Sequence, residues 1–256
     1  MVEIHRLTGG QRRHHGRGTG RLDAQNRGGG GALGKVGGDP RDATAPADCD
    51  NKEIGLCVKL IEYFDGTNWV SAAAGATGSI AGQIAKIAGA RVVGIAGGAE
   101  KCRVVVEDFG FDACIDYKND DLPAALKRHC PKGVDVYYDN VGGDILNAVL
   151  GRLAPKARVV LCGVISSYLT GEHPGPSNYV NLLAKTASMQ GFNALEMWDR
   201  FDEAFADLRR WGREGRLVHR ETVMTGLESC VDALNGLFTG ANIGKMLVKI
   251  SEPSAS

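Results

Sequence analysis

A glycine-rich turn is the first part of this sequence whose residue types and spacing could do chemistry. Residues 73–78 are Ala-Ala-Gly-Ala-Thr-Gly, a dinucleotide-binding turn with alanine in the first glycine position. Gly75 would let backbone N–H groups approach a pyrophosphate, Gly78 would let the following helix lie close to the strand, and the helix N-terminus would supply positive potential. A plain glycine turn is the alternative, but strand, turn, helix and second strand follow at the spacing that a cofactor fold requires.

The end of the second predicted strand bears on which dinucleotide is bound. An NAD enzyme places an acidic residue there for the adenosine ribose, whereas this strand ends in Ile-Ala-Gly-Gly at residues 95–98. Lys101 and Arg103 follow at the start of the next helix, where they could face a 2′-phosphate. Both could instead be solvated helix charges. Because the acid is missing, we predict NADP(H) rather than NAD(H).

Two other dehydrogenase chemistries lack their residues. None of the six tyrosines has a lysine four residues later, which is the pair that short-chain reductases use. The seven cysteines form no C-x-x-C or C-x-x-H pair, so neither a disulfide framework nor a compact zinc site is indicated, and we predict no bound metal. Asp135 and Asp139 could form a paired-carboxylate site, but solvated carboxylates at a strand end are the simpler interpretation.

Alternating strand and helix patterns must position these residues. Near-continuous apolar runs separated by amphipathic helical patterns predict an α/β protein with a doubly wound (Rossmann) parallel sheet and helices on both faces. The predicted strands are Trp69–Ala74, Arg91–Ala96, Ala113–Tyr117, Val134–Asp139, Arg158–Gly163 and Ser188–Phe192. The predicted helices are Ser79–Ala88, Glu100–Phe109, Leu122–Cys130, Asp144–Leu153, Tyr179–Lys185, Leu195–Trp211 and Leu227–Phe238. A last apolar run, Lys245–Ile250, predicts a strand with no partner among those six.

Residues 1–68 differ in composition from the rest of the chain. The first 50 positions hold 12 of the 36 glycines and no aromatic residue, so they cannot bury enough apolar surface to offset the entropy of ordering. We therefore expect an irregular segment over residues 1–68, disordered or mistranslated from a shifted reading frame, and an NADP-binding domain over residues 69–256. A basic arm that binds nucleic acid is a less favoured alternative, because residues 1–50 have no Phe, Trp or Tyr to stack on bases.

Charge and hydropathy exclude other classes of protein. The formal net charge is zero, so no global field favours nucleic acid or membrane as a partner. No apolar run reaches the roughly 18 residues of a membrane span, and the first 30 positions lack the apolar core of a signal peptide. We expect a cytoplasmic protein.

Five motifs in order resemble those of a known family. They occupy residues 71–79, 110–118, 138–143, 161–166 and 242–245. Together, from Val70 to Ile250, they resemble the zinc-independent medium-chain dehydrogenase/reductases of the prostaglandin reductase, leukotriene 12-hydroxydehydrogenase and alkenal (curcumin) reductase branch. The resemblance implies an NADPH-dependent oxidoreductase that reduces the C=C bond of α,β-unsaturated ketones and aldehydes. Members of this family often form homodimers through the nucleotide domain, which these residues alone do not show.

The family also has a GroES-like catalytic domain before the nucleotide domain, and residues 1–68 do not resemble it. Impaired activity is therefore expected. The alternatives are a non-catalytic NADP-binding fragment and a quinone oxidoreductase.

The resemblance implies a set of site residues. Gly75, Ala76, Thr77 and Gly78 would hold the pyrophosphate, Lys101 and Tyr117 the 2′-phosphate, and Asn140 a ribose or nicotinamide-side contact. Tyr168 would donate a hydrogen bond to the substrate carbonyl oxygen, although Leu169 follows it where the family usually has Asn. The other implied cofactor contacts are Cys162, Gly163, Val164, Ile165, Ser166, Tyr168, Phe192, Asn193, Ala194 and Asn242. Tyr117 could instead be a packing residue, and Asn140 could simply form a turn.

Overall fold

The structure, a computed structural model, describes residues 67–172, 174–191, 193 and 201–250. The predicted segment 1–68 therefore lies, except for its last two positions, outside the described residues, as do Phe192 and Ala194. The strands are β1 (Thr67–Ser71), β2 (Arg91–Ala96), β3 (Ala113–Asp116), β4 (Val134–Asp139), β5 (Leu153–Leu161), β6 (Ser188–Gly191), β7 (Glu221–Thr225) and β8 (Lys245–Lys249). The helices are α1 (Ala76–Ile87), α2 (Ala99–Glu107), α3 (Leu122–His129), α4 (Gly143–Leu150), α5 (Val180–Lys185), α6 (Phe201–Arg213) and α7 (Cys230–Thr239).

Six of these strands form one parallel sheet in the order β3-β2-β1-β4-β5-β6. The chain moves outward from β1 to β3 and then returns to place β4 beside β1. This reversal creates a switch point between β1 and β4, where ligands bind at the carboxyl ends of the strands in folds of this kind. The predicted doubly wound fold is confirmed.

Each face of the sheet carries its own apolar core. Successive strand residues point to opposite faces, so Trp69 and Tyr137 belong to one buried cluster while Val70 and Tyr138 belong to the other. The first cluster includes buried residues of α3 and α4, and the second includes buried residues of α1 and α2. Helices therefore cover both faces.

The predicted bounds of β1 and β5 were wrong. β1 ends at Ser71 rather than Ala74, because Ala72 adopts a positive φ of 50° and the Gly75 N–H closes a turn on the Ala72 carbonyl oxygen at 2.8 Å. β5 begins at Leu153, five residues earlier than expected, although Lys156 has a φ of 62° and the pairing with β4 is irregular.

The last predicted strand exists and has a partner that the sequence did not reveal. β8 pairs in parallel with β7 in a separate two-stranded sheet. The Gly244 N–H, just before β8, donates to the Ala74 carbonyl oxygen at 2.7 Å, which ties this small sheet to the glycine turn. No described helix is both long and apolar enough to cross a membrane.

Candidate functional site

The glycine turn leaves β1 at the switch point and opens α1. Gly75 is the N-cap residue, and the first turn of α1 contains no acidic residue. Its leading N–H groups have no acceptor within the helix, so this terminus keeps its positive potential for an anion. A Cβ at Gly78 would overlap the Ala72 carbonyl oxygen. Gly78 is therefore the residue that allows this close approach of helix and strand.

Two lysines and a tyrosine meet at the carboxyl ends of β2 and β3. A Cβ at Gly97, which follows β2, would lie 2.9 Å from both Lys118 Cε and Tyr117 Cε1, so these two side chains lie over the Gly97 backbone. Lys101, in the first turn of α2, is half-buried, and its Nζ would lie 3.5 Å from a Cβ at Gly240. Burial and the positive charge of Lys118 lower the pKa of Lys101. Two ammonium groups that influence each other at this end of the sheet suit a dianionic phosphate.

Asp116, at the end of β3, is hydrogen-bonded to the backbone of this corner. Its Oδ1 accepts hydrogen bonds from the Gly98 N–H at 2.7 Å and the Lys118 N–H at 3.1 Å. Arg103 turns away, because its guanidinium pairs with Glu107 at 2.9 Å on an exposed surface of α2. The solvated-charge interpretation therefore fits Arg103, whereas Lys118 joins Lys101 in the cationic pair.

Two thiols lie behind the cationic pair. A hydrogen bond from Cys114 lowers the pKa of Cys102, while the same contact and burial raise the pKa of Cys114. Cys102 directly follows Lys101 in α2.

Asn140 lies at the switch point between β1 and β4. Its backbone N–H donates to Ser71 Oγ at 2.8 Å, and its Nδ2 donates to the Ser71 carbonyl oxygen at 2.8 Å. Beside it Asp139 is completely buried, and its Oδ1 accepts from Ser71 Oγ at 3.0 Å and from the Tyr137 hydroxyl at 2.8 Å. The expectation of a solvated carboxylate at this strand end was wrong. Burial, followed by the charge of Asp139, raises the pKa of Tyr137.

The loop after β5 packs against the turn after β4. The N–H groups of Cys162 and Gly163 donate to the Asp139 carbonyl oxygen at 2.8 and 3.1 Å. Cys162 Sγ accepts from the Tyr138 hydroxyl at 3.0 Å, and burial raises the pKa of Cys162. The predicted stretch from Cys162 to Ser166 thus lies beside Asn140, on the same edge of the sheet as the glycine turn.

Tyr168 follows the short 3-10 helix Ile165–Ser167. Its side chain is 56% exposed, yet its hydroxyl oxygen accepts from the Val164 N–H at 3.4 Å and lies close to Gly163. The hydroxyl therefore faces back over the end of β5.

The other predicted contacts are placed differently. Asn242 is buried, and its Nδ2 donates to the Gly244 carbonyl oxygen at 2.8 Å. The N–H of the same Gly244 donates to the Ala74 carbonyl oxygen in the glycine turn. Asn193 is exposed. The structure thus gathers three sets of residues at one edge of the sheet: the glycine turn with Asn242, the Lys101 and Tyr117 corner, and Asn140 with the loop after β5.

Lys118 and Ser71 were missed from the sequence, and Asp139 was considered only as half of a carboxylate pair or as a solvated side chain. Lys118 follows Tyr117 directly, and a second cation at a strand end was a usable signal. The link between Ser71 and Asp139 had no local signal, because 68 residues separate the two members of this hydrogen bond. Among the described residues, no group of three or more His, Cys, Asp and Glu side chains is arranged to hold a metal ion.

Comparisons with known proteins agree with this geometry. Residues 76–210 match the family described as zinc-binding dehydrogenase. NADPH-dependent curcumin reductase of Escherichia coli (strain K12) is 42% identical over 188 residues, which are 71% of this chain and 54% of that protein. The NADP(+)-dependent 2-alkenal reductase of Nicotiana tabacum is 42% identical over 186 residues, 72% of this chain and 54% of that one.

A solved structure shares the fold. CurA of Vibrio vulnificus in complex with NADPH superposes with a TM-score of 0.70 and 39% identity, over 76% of this chain and 63% of that one. The chain spans about half the length of the curated relatives that it matches. The described residues offer no ligand set for the metal in the family description.

Proposed function

Because the chain belongs to the zinc-binding dehydrogenase family, we propose that it is an NADPH-dependent oxidoreductase that reduces the C=C bond of α,β-unsaturated ketones and aldehydes. The observation that supports the cofactor choice is Lys118, which lies over Gly97 where an NAD enzyme would have an acid, together with Lys101, whose pKa is lowered by burial and by the charge of Lys118. The substrate class follows the relatives named for curcumin and 2-alkenal reduction.

The residues at the sheet edge fit each part of this cofactor. The N-terminus of α1 and the backbone of residues 75–78 would hold the pyrophosphate. Lys101, Lys118 and Tyr117 would hold the 2′-phosphate. Asn140 and the loop 162–166 would line the nicotinamide end, with Asn242 supporting the glycine turn through Gly244.

When bound, NADPH would supply a hydride to the β-carbon of the unsaturated carbonyl compound, and a proton from water would add at the α-carbon of the resulting enolate. Tyr168 would donate its hydroxyl hydrogen bond to the carbonyl oxygen of the substrate, where negative charge develops as the enolate forms. The loop 162–166 would fix the position of the reacting groups, because its backbone is hydrogen-bonded to the turn after β4.

Titration of the purified chain with NADPH, followed by addition of an enal in the same cuvette, tests the proposal. We expect NADPH fluorescence to change on binding, tighter binding of NADPH than of NADH, and slow NADPH consumption once the enal is added. Binding without consumption of enal would indicate a cofactor-binding fragment. Consumption with a quinone alone would indicate a quinone oxidoreductase. Failure to bind NADPH would overturn the proposal.

A tyrosine substitution tests the catalytic assignment. We expect Tyr168→Phe to lower kcat for the enal about tenfold while the Kd for NADPH changes little, since the hydroxyl acts on the developing charge. Tyr179→Phe is the matched control, because Tyr179 is another exposed tyrosine. Equal kcat in the two variants would remove Tyr168 from the mechanism.

We also infer a homodimer. β6 is an outer strand of the six-stranded sheet, and no other strand within the described ranges pairs with its free edge of backbone donors and acceptors. Beside it in sequence, Leu183 of α5 is strongly exposed. Sedimentation equilibrium should give twice the chain mass, and monomer at all concentrations would contradict the inference.

The domain division and cellular address are also proposed. An independently folded domain over residues 69–256 should resist limited proteolysis while residues 1–68 are cut, and nucleic acid should not bind.

Five described cysteines are free thiols, as in a reducing cytoplasm. Metal analysis of the purified chain should show no stoichiometric metal.

A further inference from the structure

The carboxylate of Asp139 is a buried charge with an unusual number of donors. It has no exposed surface, and burial of a charge is costly unless hydrogen bonds replace the lost water. The donors are Ser71 Oγ (3.0 Å), the Tyr137 hydroxyl (2.8 Å), the Val141 N–H (3.0 Å) and the Gly142 N–H (3.1 Å). Hydrogen bonds to an ionised acceptor are about twice as strong as neutral ones, so this carboxylate strongly restrains what surrounds it.

The restraint acts first on the turn after β4. Two of the donors are consecutive backbone N–H groups, Val141 and Gly142, which fold around the carboxylate. Gly142 has a φ of 72°, a conformation in which glycine is favoured. Ser71 completes the restraint from β1, because its Oγ donates to Asp139 and accepts from the Asn140 N–H at 2.8 Å. Asp139 and Ser71 together fix the position of Asn140.

The restraint then passes to the loop after β5. The Asn140 carbonyl oxygen accepts from the Ile165 N–H at 3.2 Å. The Val141 carbonyl oxygen accepts from Ser166 twice, from its N–H at 3.2 Å and its Oγ at 2.6 Å. A displacement of the turn would therefore also displace the loop that is proposed to lie against the nicotinamide.

We propose that Asp139 is a positioning residue for the nicotinamide half of the cofactor site, acting through Asn140 and the loop 162–166. This inference rests on the proposed function. The carboxylate oxygens face inward to protein donors, so Asp139 touches neither cofactor nor substrate in this role. An apolar side chain at this buried position would avoid the cost of desolvation, but it could not hold two N–H groups and Ser71 in one arrangement.

Hydrogen exchange of the full chain without cofactor provides the first test. Asp139→Asn replaces one acceptor oxygen with a donor and keeps the shape. We expect the amide hydrogens of residues 140–142 and 163–166 to exchange about tenfold faster, while those of β2 and β3 are unchanged. Asp135→Asn, the same substitution on the same strand, is the control. Unchanged exchange in these segments overturns the inference whatever NADPH titration shows.

NADPH binding provides the second test. We expect Asp139→Asn to raise the Kd for NADPH about tenfold, while Asp135→Asn leaves it nearly unchanged. Equal Kd values for the two variants would contradict a role of Asp139 in positioning the cofactor site. If Asp139→Asn does not fold, Ser71→Ala serves instead, since it removes one donor and the acceptor of the Asn140 N–H. Absence of NADPH binding by the wild-type chain would overturn the proposed function, while the exchange experiment would still decide whether Asp139 holds the two segments.

Discussion

Gln83 holds both backbone polar groups of Val218, although 135 residues separate the two positions. Its Nε2 donates to the Val218 carbonyl oxygen at 2.8 Å, and its Oε1 accepts from the Val218 N–H at 2.7 Å. Gln83 is buried in α1, and Val218 lies three residues before β7. The side chain of one helical residue thus anchors the chain that leads into the two-stranded sheet.

Replacement of this side chain should destabilise the protein. We expect Gln83→Leu to lower the free energy of unfolding by about 1–3 kcal/mol, because two partly buried backbone groups lose their partners. Urea denaturation measures the change. Gln190→Leu is the matched control, because it replaces an exposed glutamine with leucine. It should change the free energy of unfolding by less than about 0.5 kcal/mol. Equal stability of the two variants would show that the Gln83 bonds contribute nothing.

Gly78→Ala should damage the glycine turn. The added methyl group would overlap the Ala72 carbonyl oxygen, which is backbone and cannot rotate away. We expect a loss of about 1–3 kcal/mol in stability and weaker NADPH binding, measured by thermal melting and fluorescence titration. Gly175→Ala is the control, since nothing lies within 4 Å of a Cβ there. Equal melting temperatures for Gly78→Ala and Gly175→Ala would contradict the role of Gly78.

Lys101→Met should weaken NADPH binding about tenfold or more while NADH binding changes little, because only NADPH carries the 2′-phosphate that a charged hydrogen bond would hold. Arg103→Met removes a cation from the same helix whose guanidinium already pairs with Glu107. We expect that control to bind NADPH normally. If Lys101→Met lowers the affinity for NADH as much as the affinity for NADPH, Lys101 has no specific role at the 2′-phosphate.

The affinity for NADPH should fall as pH rises into the range where Lys101 loses its proton, which lies below that of an ordinary lysine. Burial and Lys118 lower the pKa of Lys101, so Lys101 loses its proton, and its attraction for phosphate, at a lower pH than an ordinary lysine does. Binding of the phosphate favours the charged form, so protons should be taken up on binding. Titrations with NADPH across this pH range measure the effect. NADH binding by the wild-type chain and NADPH binding by the Lys101→Met variant should not change with pH. The same slope in all three would assign the pH dependence to another group.

Cys102 should react with iodoacetamide faster than Cys130 or Cys162 in the folded chain. The hydrogen bond from Cys114 lowers the pKa of Cys102, whereas burial raises the pKa of Cys130 to about 11 and also raises that of Cys162. The thiolate is the reactive form, so Cys102 has more of it near neutral pH. Peptide mass mapping after brief alkylation gives the order. Labelling of Cys130 before Cys102 would contradict it.

Local patterns predicted much of the cofactor fold. The apolar runs of β2 and β4 have the predicted bounds, because a strand covered on both faces is apolar throughout. The glycine turn was equally local, since the need for Gly78 comes from residues only six positions away. The pairing of β7 with β8 could not be predicted in this way. Both strands alternate exposed and partly buried residues, and this pattern does not show which strand is the partner.

The sequence by itself determined the doubly wound fold, the glycine turn and the family, because these depend on periodicity and on residue types close together in the chain. Only the tertiary structure decided the state of Asp139. As a strand-end carboxylate it was expected to be solvated, but Ser71 arrives from β1 and the turn after β4 folds over it. Burial and hydrogen bonding depend on which segments meet in space, and that information is absent from any short stretch of sequence.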